Sequence, residues 1–125
     1  MHKPIVAANW KMNLTKKSAE DLIAKLNKFV YEDVEVIIMP PFTLLDMAAS
    51  IADNRIKLGA QNCYYKKNGA FTGEISPDML VDIGCKYVIV GHSERRHIFG
   101  ETNDLLRKKL AGSKQAGLIP IYSIG

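Results

Sequence analysis

The sequence has few cysteines and no long apolar run, and both shortages exclude classes of protein. Its two cysteines, Cys63 and Cys85, lack the paired spacing of a metal site or a disulfide framework. No apolar run approaches the roughly 20 residues that cross a bilayer, and the opening segment MHKPIVAANW contains no apolar signal core. We therefore expect a cytoplasmic protein that holds no metal and contacts no membrane.

A strong excess of one charge is also lacking. The 17 basic and 13 acidic side chains leave a net charge of +4, and the basic residues are scattered along the chain. Because there is no arginine-rich run, zinc-finger spacing or aromatic RNA motif, we expect no nucleic-acid partner. With 47% hydrophobic and 24% charged residues, the 125 residues fit a soluble globular protein with at most one core.

Short apolar runs alternate with segments of helical spacing along the whole chain. Because no low-complexity linker interrupts this alternation, it predicts an α/β fold with a parallel sheet. The predicted strands are residues 5–8, 34–39, 56–61, 87–90 and 118–124. The predicted helices are residues 19–30, with Val30 as the last apolar position, then 44–52, one that starts at 76–78, a single turn at 93–97, and 102–116.

Local residue types mark several helix ends. Ser76-Pro77-Asp78 combines an N-cap hydroxyl, a proline at the first helical position and an acid near the positive end of the helix dipole. Thr15 or Ser18 is available as the N-cap of the first helix. Gly117 follows the last helix and is the residue type that best tolerates a left-handed conformation there.

The pattern alone leaves two architectures open. Four βα units with a fifth strand cannot close a barrel that needs eight strands. The chain is therefore either part of a (β/α)8 barrel or a five-stranded doubly wound sheet of the flavodoxin type. In both architectures ligands bind at the carboxyl ends of the strands.

Motifs at these strand ends favour the barrel. Asn-Trp-Lys at 9–11, Gly-Ala-Phe-Thr-Gly-Glu at 69–74 and Val-Gly-His-Ser-Glu-Arg-Arg at 90–96 resemble triosephosphate isomerases in order and spacing. Shorter matching stretches lie at 40–42, 58–62 and 74–77. The resemblance covers the whole chain and implies half of a TIM (β/α)8 barrel, with four βα units and a fifth parallel strand. Residues 1–125 would then be an amino-terminal half, incomplete as a single domain.

The resemblance also implies an activity and a first part of its site. The family interconverts dihydroxyacetone phosphate and glyceraldehyde 3-phosphate in glycolysis and gluconeogenesis, without metal or cofactor and usually as a homodimer. By the same resemblance, Lys11 binds the substrate phosphate and stabilises the charge of the enediolate intermediate. Asn9 binds substrate beside it, two residues earlier on the same face of the strand end.

His92 and Glu94 complete the catalytic candidates. The resemblance implies that His92 is a neutral imidazole at the start of a helical turn and donates a hydrogen bond to the substrate carbonyl, which is a known feature of the family. Glu94 matches the family's second acid, which orders Lys11. The alternative for this acid is a salt bridge to a nearby base, namely Arg95, Arg96 or Lys109. We expect the two arginines to form structural ion pairs.

Thr72, at the tip of a long polar loop, matches the family residue that enters the neighbouring subunit at the dimer interface. The carbon-acid base of the family, its mobile lid and its later phosphate-binding turns have no counterpart in the chain, which runs to Tyr-Ser-Ile-Gly at 122–125. We therefore expect an engineered or truncated half-chain that is inactive alone. It would associate either with copies of itself or with a complementing carboxyl-terminal half.

This self-association hypothesis rests on apolar strand residues that would line the barrel. In a monomer these side chains would stay in contact with water. The residues concerned are Ile5, Ala7, Val36, Ile38 and Val88.

Overall fold

The computed structural model describes residues 2–29 and 31–124, and the chain divides into two compact units, Met1–Gln61 and Asn62–Gly125. Strands and helices alternate through both units and the paired strands are parallel, so the fold is α/β as predicted and agrees with half of a TIM barrel. Val30, predicted as the last apolar position of the first helix, lies outside the described residues.

The described residues of the first unit form three parallel strands and two helices. In chain order these are β1 (Ile5–Asn9), α1 (Lys16–Leu26), β2 (Glu35–Met39), α2 (Phe42–Ile51) and β3 (Ile56–Ala60). Strand β2 pairs with both others, with Ile5 opposite Glu35 and Val36 opposite Ile56. Both helices bury a stripe of small and aliphatic side chains, made of Ala19, Ile23, Leu44, Leu45 and Ala48.

Helix α1 begins after Thr15, one of the two predicted N-cap residues. The hydroxyl of Ser18, the other candidate, accepts a hydrogen bond from the backbone N–H of Thr15 and donates one to its carbonyl, each at 3.0 Å. The two predicted residues therefore act together at this helix end. Helix α2 begins directly after Pro40-Pro41, which end the preceding strand.

Within residues 62–124, the second unit contains three helices and two parallel strands. These are α3 (Pro77–Asp82), β4 (Tyr87–Val90), α4 (Ser93–His97), α5 (Asn103–Ala116) and β5 (Ile119–Tyr122). Tyr87 lies opposite Ile119 in the ladder. The predicted helix ends are confirmed, since the Ser76 hydroxyl accepts a hydrogen bond from the Met79 N–H at 3.1 Å and Gly117 has a φ of 96°.

Between β3 and α3 runs a long segment, residues 62–75, that we call the aromatic loop. Its two ends meet where the Tyr64 N–H donates to the Ile75 carbonyl at 2.8 Å. The ring of Tyr64 packs against those of Tyr65 and Phe71, with centroids 4.5 and 4.6 Å away. The loop is therefore an ordered structure with its own aromatic packing.

Strand burial corrects one part of the sequence analysis. Ile38 and Val88, expected to stay in contact with water, are only 1% and 0% exposed. The pairing of Ile5 with Glu35 places Val36 and Ile38 on the opposite face of the sheet from Ile5 and Ala7, so these four cannot line the same surface. Ile5 and Ala7 are exposed, as predicted.

Within residues 2–29 and 31–124, no helix is long and apolar enough to cross a bilayer.

Candidate functional site

Lys11 occupies a strained turn directly after β1. Its φ is 57°, in the left-handed region that a residue with a side chain adopts at a cost of order 1 kcal/mol. Asn9, the last residue of β1, holds this conformation because its side-chain oxygen Oδ1 accepts a hydrogen bond from the Lys11 N–H at 2.9 Å. The predicted pair of Asn9 and Lys11 is thus joined through a side chain and the backbone.

Gln61 fixes the same turn from the end of β3. Its side-chain nitrogen Nε2 donates to the Lys11 carbonyl at 2.8 Å and to the Met39 carbonyl at 2.9 Å. The Trp10 N–H also donates to Met39, at 3.1 Å, so the turn is anchored to the end of β2. Sequence reasoning gave Gln61 no role. The available signal was an amide side chain directly after a buried apolar strand, at the same sheet edge as Asn9.

His92 lies at the N-cap of the short helix α4. Its ring nitrogen Nδ1 accepts a hydrogen bond from the Glu94 N–H at 3.2 Å. A nitrogen that accepts in this way carries no proton, so the ring proton is on Nε2, which is then available as a donor. The Glu94 carboxylate is 3.5 Å from the same Nδ1, and this ion pair would require a doubly protonated ring. We favour the amide contact because it is shorter and is formed by the helix start itself.

The two arginines after Glu94 have structural partners. Arg95 donates to Glu101 at 2.9 Å, which confirms the expected ion pair. Arg96 instead donates to neutral oxygens, including the Gly91 carbonyl at 2.8 Å and the Ser123 carbonyl at 2.8 Å. Arg96 therefore ties the end of β4 to the end of β5 by hydrogen bonds.

A buried ion pair underlies this segment. The Lys109 ammonium donates to Glu101 Oε2 at 2.6 Å and to Asn62 Oδ1 at 2.9 Å, and the side chains of Lys109 and Glu101 are only 2% and 5% exposed. Burial alone would raise the pKa of Glu101, but hydrogen bonds and charge from Lys109 and Arg95 outweigh burial and hold that pKa below its usual value. Arg95, Glu101, Lys109 and Asn62 thus form one chain of contacts from α4 to the base of the aromatic loop.

Sequence reasoning considered Lys109 only as a partner of Glu94 and missed Glu101. The available signal was helical spacing, since Lys109 shares a buried face of α5 with Leu106 and Ser113. The second carboxylate oxygen of Glu101, Oε1, is buried and has no hydrogen-bond partner among the described residues. Such an oxygen is suited to accept a bond from water or from another polypeptide.

Thr72 is exposed in the aromatic loop. Cys63 and Cys85 are free and buried, and burial raises the pKa of the Cys85 thiol to about 11. Burial also raises the pKa of Cys63. These thiols are therefore poor nucleophiles at neutral pH.

Comparisons with known proteins identify a family. A family model described as triosephosphate isomerase matches residues 4–125. The triosephosphate isomerase of Aquifex aeolicus is 53% identical over 97% of this chain, and that of Dictyoglomus thermophilum is 49% identical over all of it. The matched regions are 50% and 51% of those proteins. The chain therefore spans about half the length of the curated relatives it matches.

Proposed function

We propose a function for this chain, which belongs to the triosephosphate isomerase family. It supplies the amino-terminal half of an enzyme that interconverts dihydroxyacetone phosphate and glyceraldehyde 3-phosphate in the cytoplasm, as a step of glycolysis and gluconeogenesis. The observation that carries the proposal is the Lys11 turn. A lysine held in a strained conformation by Asn9 and Gln61 at a strand end is suited to a precise task.

Lys11 is proposed to bind the substrate phosphate and to stabilise the negative charge of the enediolate. An ammonium group is a compact cation, and it stabilises a developing anion best when its position is fixed before the reaction. The two hydrogen bonds to the Lys11 backbone supply that fixation. Asn9 contributes a second polar group for substrate at the same strand end.

His92 is proposed to donate a hydrogen bond from Nε2 to the substrate carbonyl, which makes the adjacent carbon more acidic. The bond from the Glu94 N–H to Nδ1 supports this assignment because it leaves the proton on the outer nitrogen. Glu94 is proposed to order Lys11 and to move protons. No metal or cofactor takes part in this proposal.

The family's general base, which removes the proton from carbon, is not among these residues. We propose that turnover requires the carboxyl-terminal half of the barrel, and that the 125 residues alone do not turn over substrate. Loss of a positioned general base lowers a rate by about 10²- to 10⁴-fold, and loss of a lid lowers it further. Thr72 is proposed to contact a second subunit in a homodimer.

The proposal is tested by complementation. The chain is co-expressed with the carboxyl-terminal half of the Aquifex aeolicus relative, and isomerisation is measured in a host that lacks its own enzyme. We expect measurable turnover from the pair and none from either half. In the complemented enzyme, Lys11→Ala and His92→Ala should each lower kcat/KM by about 10²- to 10⁴-fold.

Two matched substitutions serve as controls for these variants. Lys28→Ala removes an exposed lysine of the first unit, and His97→Ala removes an exposed histidine of the same short helix as His92. Neither should change kcat/KM by more than about twofold. Turnover by the 125-residue chain alone, or complemented turnover indifferent to Lys11→Ala and His92→Ala, would contradict the proposal.

A second candidate function is a non-catalytic half-barrel that associates with copies of itself. The exposed strand β1 favours it, since Ile5 and Val6 point to opposite faces and each is 56% exposed. Light scattering on the isolated chain discriminates the two candidates. A stable homo-oligomer that excludes the carboxyl-terminal half would favour the second, and a mixed complex would favour the first.

A further inference from the structure

Helix α5 supports the base of the aromatic loop through one continuous face. Lys109 donates to the Asn62 side chain at 2.9 Å, and the Ser113 hydroxyl lies 3.4 Å from the sulfur of Cys63. Between these two contacts on the helix surface lies Gly112. The first residues of the loop therefore contact a strip of α5 about one turn long.

The contact at Gly112 is made by backbone on both sides. A Cβ atom at this position would lie 2.7 Å from the carbonyl oxygen of Tyr65 and 3.1 Å from its Cα. The first distance is shorter than real Cβ contacts and the second is tighter than most of them, and the opposing atoms are backbone, so the loop itself would have to shift. The ring of Tyr65 adds a contact with α5, because the Lys108 ammonium lies 5.5 Å from its centroid.

Gly112 lies inside helix α5, where glycine is an unfavourable residue type. It weakens a helix relative to alanine, because its backbone has more freedom to lose. The Gly112 φ is not in the left-handed region, so its conformation does not demand glycine. The close approach of the Tyr65 backbone leaves no room for a side chain at this position and therefore requires glycine.

We infer that Gly112 is a positioning residue for the aromatic loop and, through the loop, for Thr72. The absence of a side chain lets residues 62–65 lie directly on α5, and this sets the direction in which the loop leaves the helix. The effect on Thr72 rests on its proposed role in subunit contact, whereas the effect on the loop does not.

The test compares Gly112→Ala with the wild-type chain by amide hydrogen exchange. The reporters are the Tyr64 amide, bonded to Ile75, and the Glu74 amide, bonded to the Phe71 carbonyl. We expect both to exchange at least about tenfold faster in the variant, with unchanged exchange in β4. Gln115→Ala, an exposed substitution in the same helix, should leave both reporters unchanged.

If the contact were unimportant, helix propensity would make Gly112→Ala more stable, with the same loop exchange as the wild type, and the inference would be wrong. Should Gly112→Ala fail to fold, Ser113→Ala removes the neighbouring contact with Cys63 and should accelerate Tyr64 exchange by about twofold or more. Unchanged exchange in Ser113→Ala would then overturn the inference.

Sedimentation equilibrium separates the inference from the proposed function. Dimerisation of the complemented enzyme should weaken by about fivefold or more in Gly112→Ala if Thr72 lies in a subunit interface. If the complemented wild-type enzyme does not dimerise, the proposed interface fails, while the exchange experiment still decides the role of Gly112.

Discussion

Strands β1 and β4 are both short apolar runs that lead to a proposed catalytic residue, yet their surroundings are opposite. All four residues of β4 are buried, whereas Ile5 and Val6 of β1 are more than half exposed. The turn at Lys11 is therefore held by its hydrogen bonds with Asn9 and Gln61 more than by packing. An apolar run thus predicts a strand but does not indicate whether other residues cover that strand.

The same contrast holds for charged groups. The second unit buries the ion pair of Glu101 and Lys109, whereas Lys17 and Asp21 of α1 form an exposed pair at 3.0 Å. Buried partners depend strongly on each other because the protein interior does not solvate an unpaired charge, whereas water solvates exposed charges. Substitution in the buried pair should accordingly cost more than substitution in the exposed pair.

The largest effect should come from Glu101→Gln. It leaves the Lys109 ammonium buried without its counter-charge, and we expect a loss of about 3–5 kcal/mol in the free energy of unfolding. Denaturant unfolding monitored by circular dichroism measures this loss. The matched substitution Asp21→Asn in the exposed pair should produce no measurable change. A similar loss in the free energy of unfolding for Glu101→Gln and Asp21→Asn would contradict the expected difference between the buried and the exposed pair.

The next effect compares two isoleucines in strands. Ile89→Ala removes a side chain that is 4% exposed and should cost about 2–5 kcal/mol. Ile5→Ala removes one that is 56% exposed and should cost about 0.5 kcal/mol or less. Unfolding is measured at two protein concentrations. An Ile5→Ala cost that rises with concentration, or on addition of the carboxyl-terminal half, would show that a partner covers β1.

A smaller effect is expected at the start of α5. The Thr102 hydroxyl accepts a hydrogen bond from the Leu105 N–H at 3.2 Å, and Thr102→Ala should cost about 1 kcal/mol. Thr102→Ser retains the hydroxyl and should cost much less. Thermal unfolding of both variants gives the comparison. Equal costs would mean that the lost methyl contacts matter and that the cap bond does not.

The smallest effect is expected at Asp53 in the first unit. Its carboxylate accepts hydrogen bonds from Arg55, which lower the pKa of Asp53 to about 2. A lowered pKa stabilises the fold above the unfolded value of about 4, and this contribution is lost between about pH 4 and pH 2. Asp53→Asn should make the free energy of unfolding less dependent on pH between about pH 4 and pH 2, and should leave its pH dependence elsewhere unchanged. A change near neutral pH would contradict the assignment.

Local signals in the sequence predicted most of the fold. Strand β4 has the predicted bounds, and the Ser76 cap is as expected. The predicted strand at 118–124 is shorter in the structure, because the Leu118 N–H donates to the Ser113 carbonyl and so completes the end of α5. Short-range sequence patterns thus predict which segments form helices and strands, whereas contacts between these elements decide where each one ends.

The site was predicted less completely. The motifs indicated Asn9, Lys11, His92 and Glu94, but not the residues that support them. Gln61 contacts Lys11 across 50 positions, and Lys109 contacts Asn62 across 47. Periodicity carries no information about contacts at such separations. The joint action of the four candidates on one substrate stays a prediction.

The left-handed turn after β1 has a consequence for attempts to make the protein more robust. Both Lys11 and Leu14 have positive φ angles, so glycine at either position would relieve strain in the folded chain. A screen for thermostability alone would therefore favour the same replacement at both. At position 14 the gain would leave the proposed chemistry intact, whereas at position 11 it would remove the cation. Such a screen would need a second measurement, turnover of the complemented pair, to separate a stabilised chain that keeps the proposed cation from one that has lost it.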